Sequence, residues 1–204
     1  RKDLLITYQV DILQKPDSKL DEMMKNISED AFGEKIASFS LSLKKGRSSF
    51  ILNNEAFIDQ NVRDIFTIKT GYRGPTIYKN DSLLTFMKKG LLKKDYVLSS
   101  SINNYTVTNE RKVISGYNCF KATAIKTVEN SAGTFNHKIV VWFTPELPYQ
   151  SGPLYFVGVP GLVLEAHTKD CVFYASKIEF KEKVDIYSMP NAEVITELQF
   201  AQML

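Results

Sequence analysis

Hydrophobic and polar residues alternate along much of the chain, which is the pattern of half-buried β-strands. The clearest case is Phe39–Leu43, where apolar residues alternate with serines. Lys44–Arg47 then predicts a hairpin turn, and Ser49–Asn53 predicts the returning strand. The β-branched and aromatic residues of Leu4–Leu13 predict an earlier strand.

The strongest helical pattern covers Lys19–Phe32, where apolar residues recur every three or four positions. Asp17 or Ser18 can cap its first turn, and Gly33 can end it. Ala192–Leu204 also has helical propensity, and it forms either a short helix or an unordered tail.

The pattern is weaker over residues 55–104. Phe66–Thr70 and Pro75–Asp81 predict short strands, because both are rich in β-branched and aromatic residues. Leu83–Leu98 predicts strands on both sides of a turn at Gly90, in preference to an amphipathic helix.

After residue 104 the β pattern becomes strong. Tyr105–Val128 and Asn136–Phe143 are predicted to form strands. Leu162–His167 is predicted to pair with Cys171–Glu179 across a tight turn at Lys169-Asp170.

Trp142–Ala166 combines turn residues with core-forming residues. It holds four of the seven prolines and three of the ten glycines, together with five aromatic side chains. Such a mixture is not typical of a solvated loop. We predict a strand, a proline-shaped excursion packed down by its aromatics, and a second strand. The residues expected to define this structural motif are Trp142, Pro145, Pro148, Gly152, Pro153, Gly158, Pro160, Gly161 and Leu162.

Composition and charge exclude several classes of protein. With 44% hydrophobic and 24% charged residues, the chain is typical of a globular protein, and residues 1–204 are long enough for one domain. A net charge of +3 argues against a nucleic-acid binder. No apolar run of about 20 residues predicts a transmembrane segment. The first residues do not resemble a signal peptide, so the chain is either cytosolic or the mature form of an exported protein.

The sequence assigns no catalytic residue, metal ligand or cofactor site. Its histidines, His137 and His167, could join Glu146 and Glu165 in a metal-dependent or hydrolytic site, but no motif supports that arrangement. We expect His137 to be exposed at the start of a strand. Each glutamate is explained by structure: Glu146 caps backbone N–H groups in a turn, and Glu165 lies on the polar face of a strand.

If Glu165 is buried instead, it needs an ionic partner, for which Lys121 and Arg111 are candidates. The two cysteines, Cys119 and Cys171, are either small buried thiols or, in an exported protein, a disulfide.

Three segments together resemble the GLPGLI family. They are ISGYNCFKA (Ile114–Ala122), WFTPELPYQSGP (Trp142–Pro153) and GVPGLVLEA (Gly158–Ala166). The hexapeptide that names the family reads Gly-Val-Pro-Gly-Leu-Val here, and both departures keep an apolar side chain. A segment upstream, beginning at Tyr105, is similar as well, although a tryptophan is common at that position.

The resemblance implies an exported envelope protein of Bacteroidetes-type bacteria, periplasmic or associated with the outer membrane, whose signal peptide has been removed. It favours a disulfide between Cys119 and Cys171, and it transfers no catalytic residue. By analogy with periplasmic lipoprotein carriers, we expect a mainly β (α+β) fold: a single, strongly curved antiparallel sheet forming an open half-barrel, with one or two helices.

Three functional hypotheses follow. The first is a non-catalytic envelope protein that binds an apolar small molecule, a lipid or a partner envelope protein through a surface formed by Tyr149, Tyr155, Phe156 and Val159. The second is the metal-dependent or hydrolytic enzyme, and the third is a structural subunit of an envelope assembly. An aromatic cavity favours the first, convergent histidines the second, and a flat apolar patch the third.

Overall fold

A computed structural model describes residues 2–13, 38–53, 66–89, 94–130 and 133–203. These ranges form one large open β-sheet that is not closed into a barrel. The strands are β1 (Asp3–Ile12), β2 (Ser38–Lys44), β3 (Arg47–Leu52), β4 (Thr76–Lys79), β5 (Ser82–Met87), β6 (Tyr96–Ser100), β7 (Thr106–Ile114), β8 (Tyr117–Asn130), β9 (Gly133–Thr144), β10 (Leu162–His167), β11 (Cys171–Lys181) and β12 (Glu193–Thr196).

In the part of the chain that the structure describes, two short helices accompany the sheet. The first, α1, spans residues 66–70, and the second, α2, spans Glu197–Ala201. A capping box at Thr196 and Gln199 begins α2, because each side chain accepts a hydrogen bond from the other residue's backbone N–H. In the ranges given above, no helix is long and apolar enough to cross a membrane.

The first strand joins two groups of antiparallel strands. The sheet order is β12-β6-β5-β4-β3-β2-β1-β11-β10-β9-β8-β7. Strands β2 to β6 follow one another on one side of β1, and β11 to β7 follow one another on the other side. All neighbouring strands are antiparallel except β12, which pairs in parallel with β6. The prediction of a purely antiparallel sheet is therefore wrong at this one edge.

One face of the sheet carries the main core, and we call it the inner face. On β1 it presents Leu4, Ile6 and Tyr8, which are almost fully buried. The register places Tyr8 opposite Phe39 of β2, whose ring stacks on Phe50 of β3 with 4.9 Å between centroids. Each buried aromatic or aliphatic side chain stabilises the fold by about 1.5–3 kcal/mol, so these central strands anchor the sheet.

Most predicted strands are confirmed. The hairpin of β2 and β3, the two strands on either side of Gly90, and the pairing of β10 with β11 all form as expected. The predicted helix Lys19–Phe32 lies outside the described residues. The last segment forms the short helix α2, which is one of its two predicted outcomes, but the strand β12 before it was not predicted.

The strand predicted for Phe66–Thr70 is wrong, because residues 66–70 are helical. Phe66, Lys69 and Thr70 are buried while Ile68 is 68% exposed, which is helical and not strand spacing. The Thr70 hydroxyl donates a hydrogen bond to the Phe66 carbonyl at 2.9 Å. The Phe66 ring stacks on the Phe39 ring, with 6.0 Å between the centroids. Tertiary packing of Phe66 therefore overrides the β propensity of Thr67 and Ile68.

The predicted disulfide is also wrong, since both cysteines are free and buried. Cys119 lies on β8 and Cys171 begins β11, so two strands separate them. Three strand spacings amount to about 14 Å, whereas a disulfide needs Cα atoms within about 7 Å. The two cysteines are also offset along the strand direction. Cys171 is level with the end of β10, next to the turn after His167, whereas Cys119 is level with the start of β10.

We expect both thiols to resist alkylation in the folded protein. Burial raises the pKa of Cys119 and of Cys171 to about 11, so the reactive thiolate is scarce at neutral pH. Mass spectrometry after iodoacetamide treatment should show almost no modification in native buffer and two modifications after denaturation. A mass two units lower before reduction than after it would instead indicate the disulfide.

Candidate functional site: a cavity on the inner face

The segment between β9 and β10, residues 145–161, packs against the inner face. Its Phe156 is fully buried and lies 6.5 Å from the ring of Phe173 on β11. The backbone closes on itself and on β10, since the Leu162 N–H donates to the Leu147 carbonyl and the Val163 N–H to the Ser151 carbonyl. We call residues 145–161 the connecting segment. Phe156 thus adds to the core, as the sequence predicted, whereas Pro153 is the one buried proline of the segment.

The two glycines of the hexapeptide are required for different reasons. A Cβ on Gly161 would lie 2.2 Å from the Thr144 carbonyl oxygen, so this residue is needed for the close approach of two backbones. Gly158 has a φ of +96°, the left-handed conformation that glycine favours. The sequence alone suggests a special backbone angle at Gly161, and this prediction is wrong, because Gly161 does not have a positive φ.

The remaining residues of the structural motif take varied positions. Gly152 is enclosed, because a Cβ there would lie 2.3 Å from the Phe156 carbonyl oxygen. Leu162 begins β10 and is fully buried, and Pro153 is buried. The motif residues exposed to solvent are Pro145, Pro148, Gly158 and Pro160, and Trp142 is half-buried.

The four residues predicted to bind a ligand or partner do not share one surface. Phe156 and Val159 are 0% exposed and belong to the main core. Tyr155 is half-buried and lines a cavity on the inner face, whereas Tyr149 lines a different cavity. Only the two tyrosines are therefore accessible to a ligand.

The cavity beside Tyr155, which we call the inner cavity, has a volume of about 310 Å³. Inner-face residues of two strand groups line it, one from β4 to β6 and one from β8 and β9. Residues near α1, the turn after β10, the connecting segment and α2 complete the walls. The apolar lining includes Leu83, Leu98, Ile139 and Leu154, and the hydroxyl lining includes Thr76, Thr85 and Ser100.

Charged and aromatic side chains meet at the edge of the inner cavity. The Lys126 ammonium lies 3.9 Å from the centroid of the Tyr155 ring and 3.2 Å from a carboxylate oxygen of Glu197 on α2. The Arg73 guanidinium lies 4.8 Å from the centroid of the Phe200 ring, also on α2. We call Arg73, Lys126 and Glu197 the charged cluster of the cavity.

Protein surroundings change the ionisation of this cluster. Desolvation lowers the pKa of Lys126, and the nearby Glu197 opposes that effect. Desolvation also lowers the pKa of Arg73, although the residue as a whole stays exposed, and Glu197 again acts in the opposite direction. Burial raises the pKa of Tyr155 to about 12, so its ring stays neutral. The site is thus cationic with a neutral aromatic wall.

A second cavity of about 520 Å³ lies between the β2–β3 turn and Pro148–Ser151. Tyr149 forms part of its wall. Most of its other lining residues are exposed, including those of the β2–β3 and β4–β5 turns. Both cavities are about equally open to solvent, but fewer of the residues that line the inner cavity are exposed.

The histidines do not converge. His137 projects from the inner face of β9, as Ile139 and Val141 do, and it lines the inner cavity. It is half-buried, and not exposed as expected. His167 ends β10 opposite Val140, and therefore projects from the other face. Over the described ranges, no group of three or more His, Cys, Asp or Glu residues could hold a metal ion.

Both glutamates have structural partners. Glu146 is exposed and accepts hydrogen bonds from the Asn118 backbone N–H at 2.9 Å and from its side chain, which is the capping role expected from the sequence. The Glu165 side chain is only 16% exposed, and Lys112 donates to it at 2.6 Å. Glu165 also contacts His167.

The expected partners of Glu165 are engaged elsewhere. Lys121 pairs with Glu110 at 2.8 Å, and Arg111 lies over the Phe120 ring. Lys112 takes their place because its ammonium also packs over the Trp142 ring, with 4.4 Å to the centroid. Trp142 therefore orients the cation that compensates Glu165.

The sequence did not single out the charged cluster. Lys126 occurs on the same strand face as Ala122 and Ala124, so a charge at an inner-face position was its one local signal. Arg73 and Glu197 are far from Lys126 in sequence, and no motif links them.

Comparison with known proteins gives a family match over part of the chain. Residues 132–165 match a family model described as "Protein of unknown function (Porph_ging)", a Bacteroidetes-type family. The matched range contains β9, the connecting segment and the start of β10. Among curated proteins, no significant match was found.

Solved structures show a similar fold. Two structures of PNGF-II, in space groups C2 and P21, align with TM-scores of 0.59 at 17% and 18% identity. The alignments cover 100% of this chain and 32% and 33% of PNGF-II, so the chain spans about a third of that protein's length. At this identity the likeness concerns the fold alone.

We expect Gly161→Ala to destabilise the protein by about 3 kcal/mol, because the new Cβ would overlap the backbone of Thr144 and Pro145. The matched control is Gly46→Ala in the β2–β3 turn, where φ is +74° but a Cβ meets nothing within 4 Å. That control should cost about 1 kcal/mol, from backbone strain alone. Urea denaturation measures both, and equal losses would contradict the close-approach role.

We expect Glu165→Gln to lower the free energy of unfolding by about 1–2 kcal/mol at pH 7. Burial raises the pKa of Glu165, but hydrogen bonds from His167 and Lys112 outweigh it and bring the pKa below its usual value. The charged carboxylate therefore stabilises the fold above the ordinary pKa of about 4.3, and this stabilisation is lost as pH falls through the lowered value.

The difference between wild type and Glu165→Gln should accordingly shrink in acid, as followed by urea denaturation at pH 3 to 7. Glu179→Gln is the control, because Glu179 pairs with Lys177 and Lys181 at the surface and should matter little. A deficit that does not change with pH would show that packing, and not charge, makes Glu165 important.

Proposed function

We propose that this chain is a non-catalytic binding domain of an exported cell-envelope protein, and that its ligand occupies the inner cavity. The observation that carries the proposal is the composition of that cavity. Apolar side chains, hydroxyls and a charged cluster converge on one volume of about 310 Å³, which lies in the range of ligand sites.

The arrangement of strands around the cavity supports a strongly curved sheet. β5 and β9 are separated by seven steps in the strand order, yet both contribute inner-face residues to the same cavity. In a flat sheet seven steps would place these strands about 34 Å apart. A half-barrel that bends around its ligand is consistent with this arrangement.

The alternatives have weaker support. The hydrolytic or metal-dependent enzyme needs His137 and His167 together, but these residues lie on opposite faces of the sheet. A protein-docking surface at the hexapeptide cannot include Phe156 and Val159, because both are buried in the core. A structural subunit is favoured by a flat apolar patch, whereas the accessible Tyr155 lines a cavity. Export and an envelope location rest on the sequence resemblance.

Adjacent serines on β6 allow a matched test of the cavity. Ser100 lines the inner cavity, and Ser99 projects from the other face of the same strand, with similar partial burial. We expect Ser100→Trp to fill the cavity and to abolish retention of a small molecule during purification from the native envelope. Ser99→Trp should retain it.

Native mass spectrometry of the wild type and both variants reads out the retained mass, and circular dichroism verifies folding. A small molecule retained equally by Ser100→Trp and Ser99→Trp would place binding elsewhere. A wild type that carries a protein, or nothing at all, would contradict a small-molecule function.

A further inference from the structure

The charged cluster has more positive than negative charge. Lys126 is held on the inner face with its side chain 18% exposed, and its carboxylate partner is Glu197 at 3.2 Å. Glu197 also acts electrostatically on Arg73. One carboxylate thus serves two cations, and among the described residues the only other carboxylate lining the cavity is that of Asp170, near the turn after β10.

An incompletely compensated lysine at an inner-face position needs an explanation. A charge removed from water loses hydration energy unless counter-charges and hydrogen bonds replace it. The neighbouring positions on β8 carry Ala122 and Ala124, so packing alone would favour an apolar residue here. A second anion that pairs with Lys126 would leave Glu197 to Arg73, so that each cation has its own counter-ion.

The rest of the lining limits what such an anion can be. The volume of about 310 Å³ is at the small end of ligand sites, which fits a molecule of one or two rings. Leucine and isoleucine side chains can contact an apolar part, and Thr85 and Ser100 can hydrogen-bond to hydroxyls.

We propose that the inner cavity is a binding site for a small organic carboxylate, whose anionic group takes the place that Glu197 now holds beside Lys126. This inference rests on the proposed function and names its ligand class. Glu197 is then an internal competitor: its side chain is 34% exposed, so it can leave Lys126 without unfolding α2.

Two pairs of probes of matched shape test the proposal by isothermal titration calorimetry. Benzoate is compared with benzamide, and glucuronate with glucose, so that each carboxylate has a neutral counterpart. We expect at least one carboxylate to bind at least about tenfold more tightly than its counterpart, a difference of about 1.4 kcal/mol. Preference for benzoate or glucuronate distinguishes an apolar from a hydroxyl-rich ligand body.

Variants assign the binding to the cluster. Lys126→Gln should weaken carboxylate binding at least about tenfold, and Glu197→Gln should strengthen it by a similar factor. The controls are Lys121→Gln, on the same strand but paired with Glu110, and Glu193→Gln, on β12 and paired with Lys94. Both should bind like the wild type.

The outcomes separate the two proposals. The anion site would be overturned if both neutral probes bound as tightly as their carboxylates, or if Lys126→Gln left carboxylate binding unchanged. Either result would leave a ligand cavity in place. Binding of none of the four probes would overturn the carboxylate inference, and retention of a small molecule by the native protein would then decide whether the broader function stands.

Discussion

The close contact between the backbones of Gly161 and Thr144 is the constraint on which the rest of the site depends. It turns the chain back at the end of β9, so the connecting segment lies on the inner face and not in solvent. The Tyr8 hydroxyl then donates to the Val163 carbonyl, where the pairing of β9 and β10 shifts register. Phe156 is buried, and Tyr155 beside it borders the inner cavity.

The two faces of the sheet treat charge differently. On the outer face, Lys112 and Glu165 neutralise each other, with Trp142 covering the cation. On the inner face, Lys126 shares the Glu197 carboxylate with Arg73, and it lies beside the Tyr155 ring in the wall of the inner cavity. A satisfied pair stabilises structure, whereas an incompletely satisfied one leaves electrostatic energy for binding. This contrast is the physical reason for proposing that the inner cluster binds a ligand, whereas the outer pair stabilises the fold.

Sequence reasoning predicted what depends on local pattern. Period-two alternation in Phe39–Leu43 identified β2, and the mixture of prolines and aromatics identified the packed connecting segment. It failed where tertiary contacts decide, as for residues 66–70, which are helical because Phe66 packs on Phe39. The disulfide failed for a similar reason, since strand order separates cysteines that a family expectation had paired.

The charged cluster could not be predicted, because nothing local relates Lys126 to Glu197, which is 71 residues away. Only the pairing of β12 with β6 brings α2 to the cavity. The alternation along β8 does indicate that Lys126 projects to the inner face. It marks a position where an alanine pattern is interrupted by charge, and such positions can be searched for in other sheet proteins.

The position of β1 has a consequence for how the chain folds. Leu4 pairs with Leu43 on one side and with Phe180 on the other, so β1 completes its pairing with a strand that is far from it in sequence. Until β11 pairs with it, one edge of β1 has unpaired backbone N–H and C=O groups that another strand can bind, with apolar side chains beside them. Such non-local pairing gives a high contact order and slow folding. β1 is therefore half-paired until β11 docks, which makes its free edge an aggregation hazard during folding.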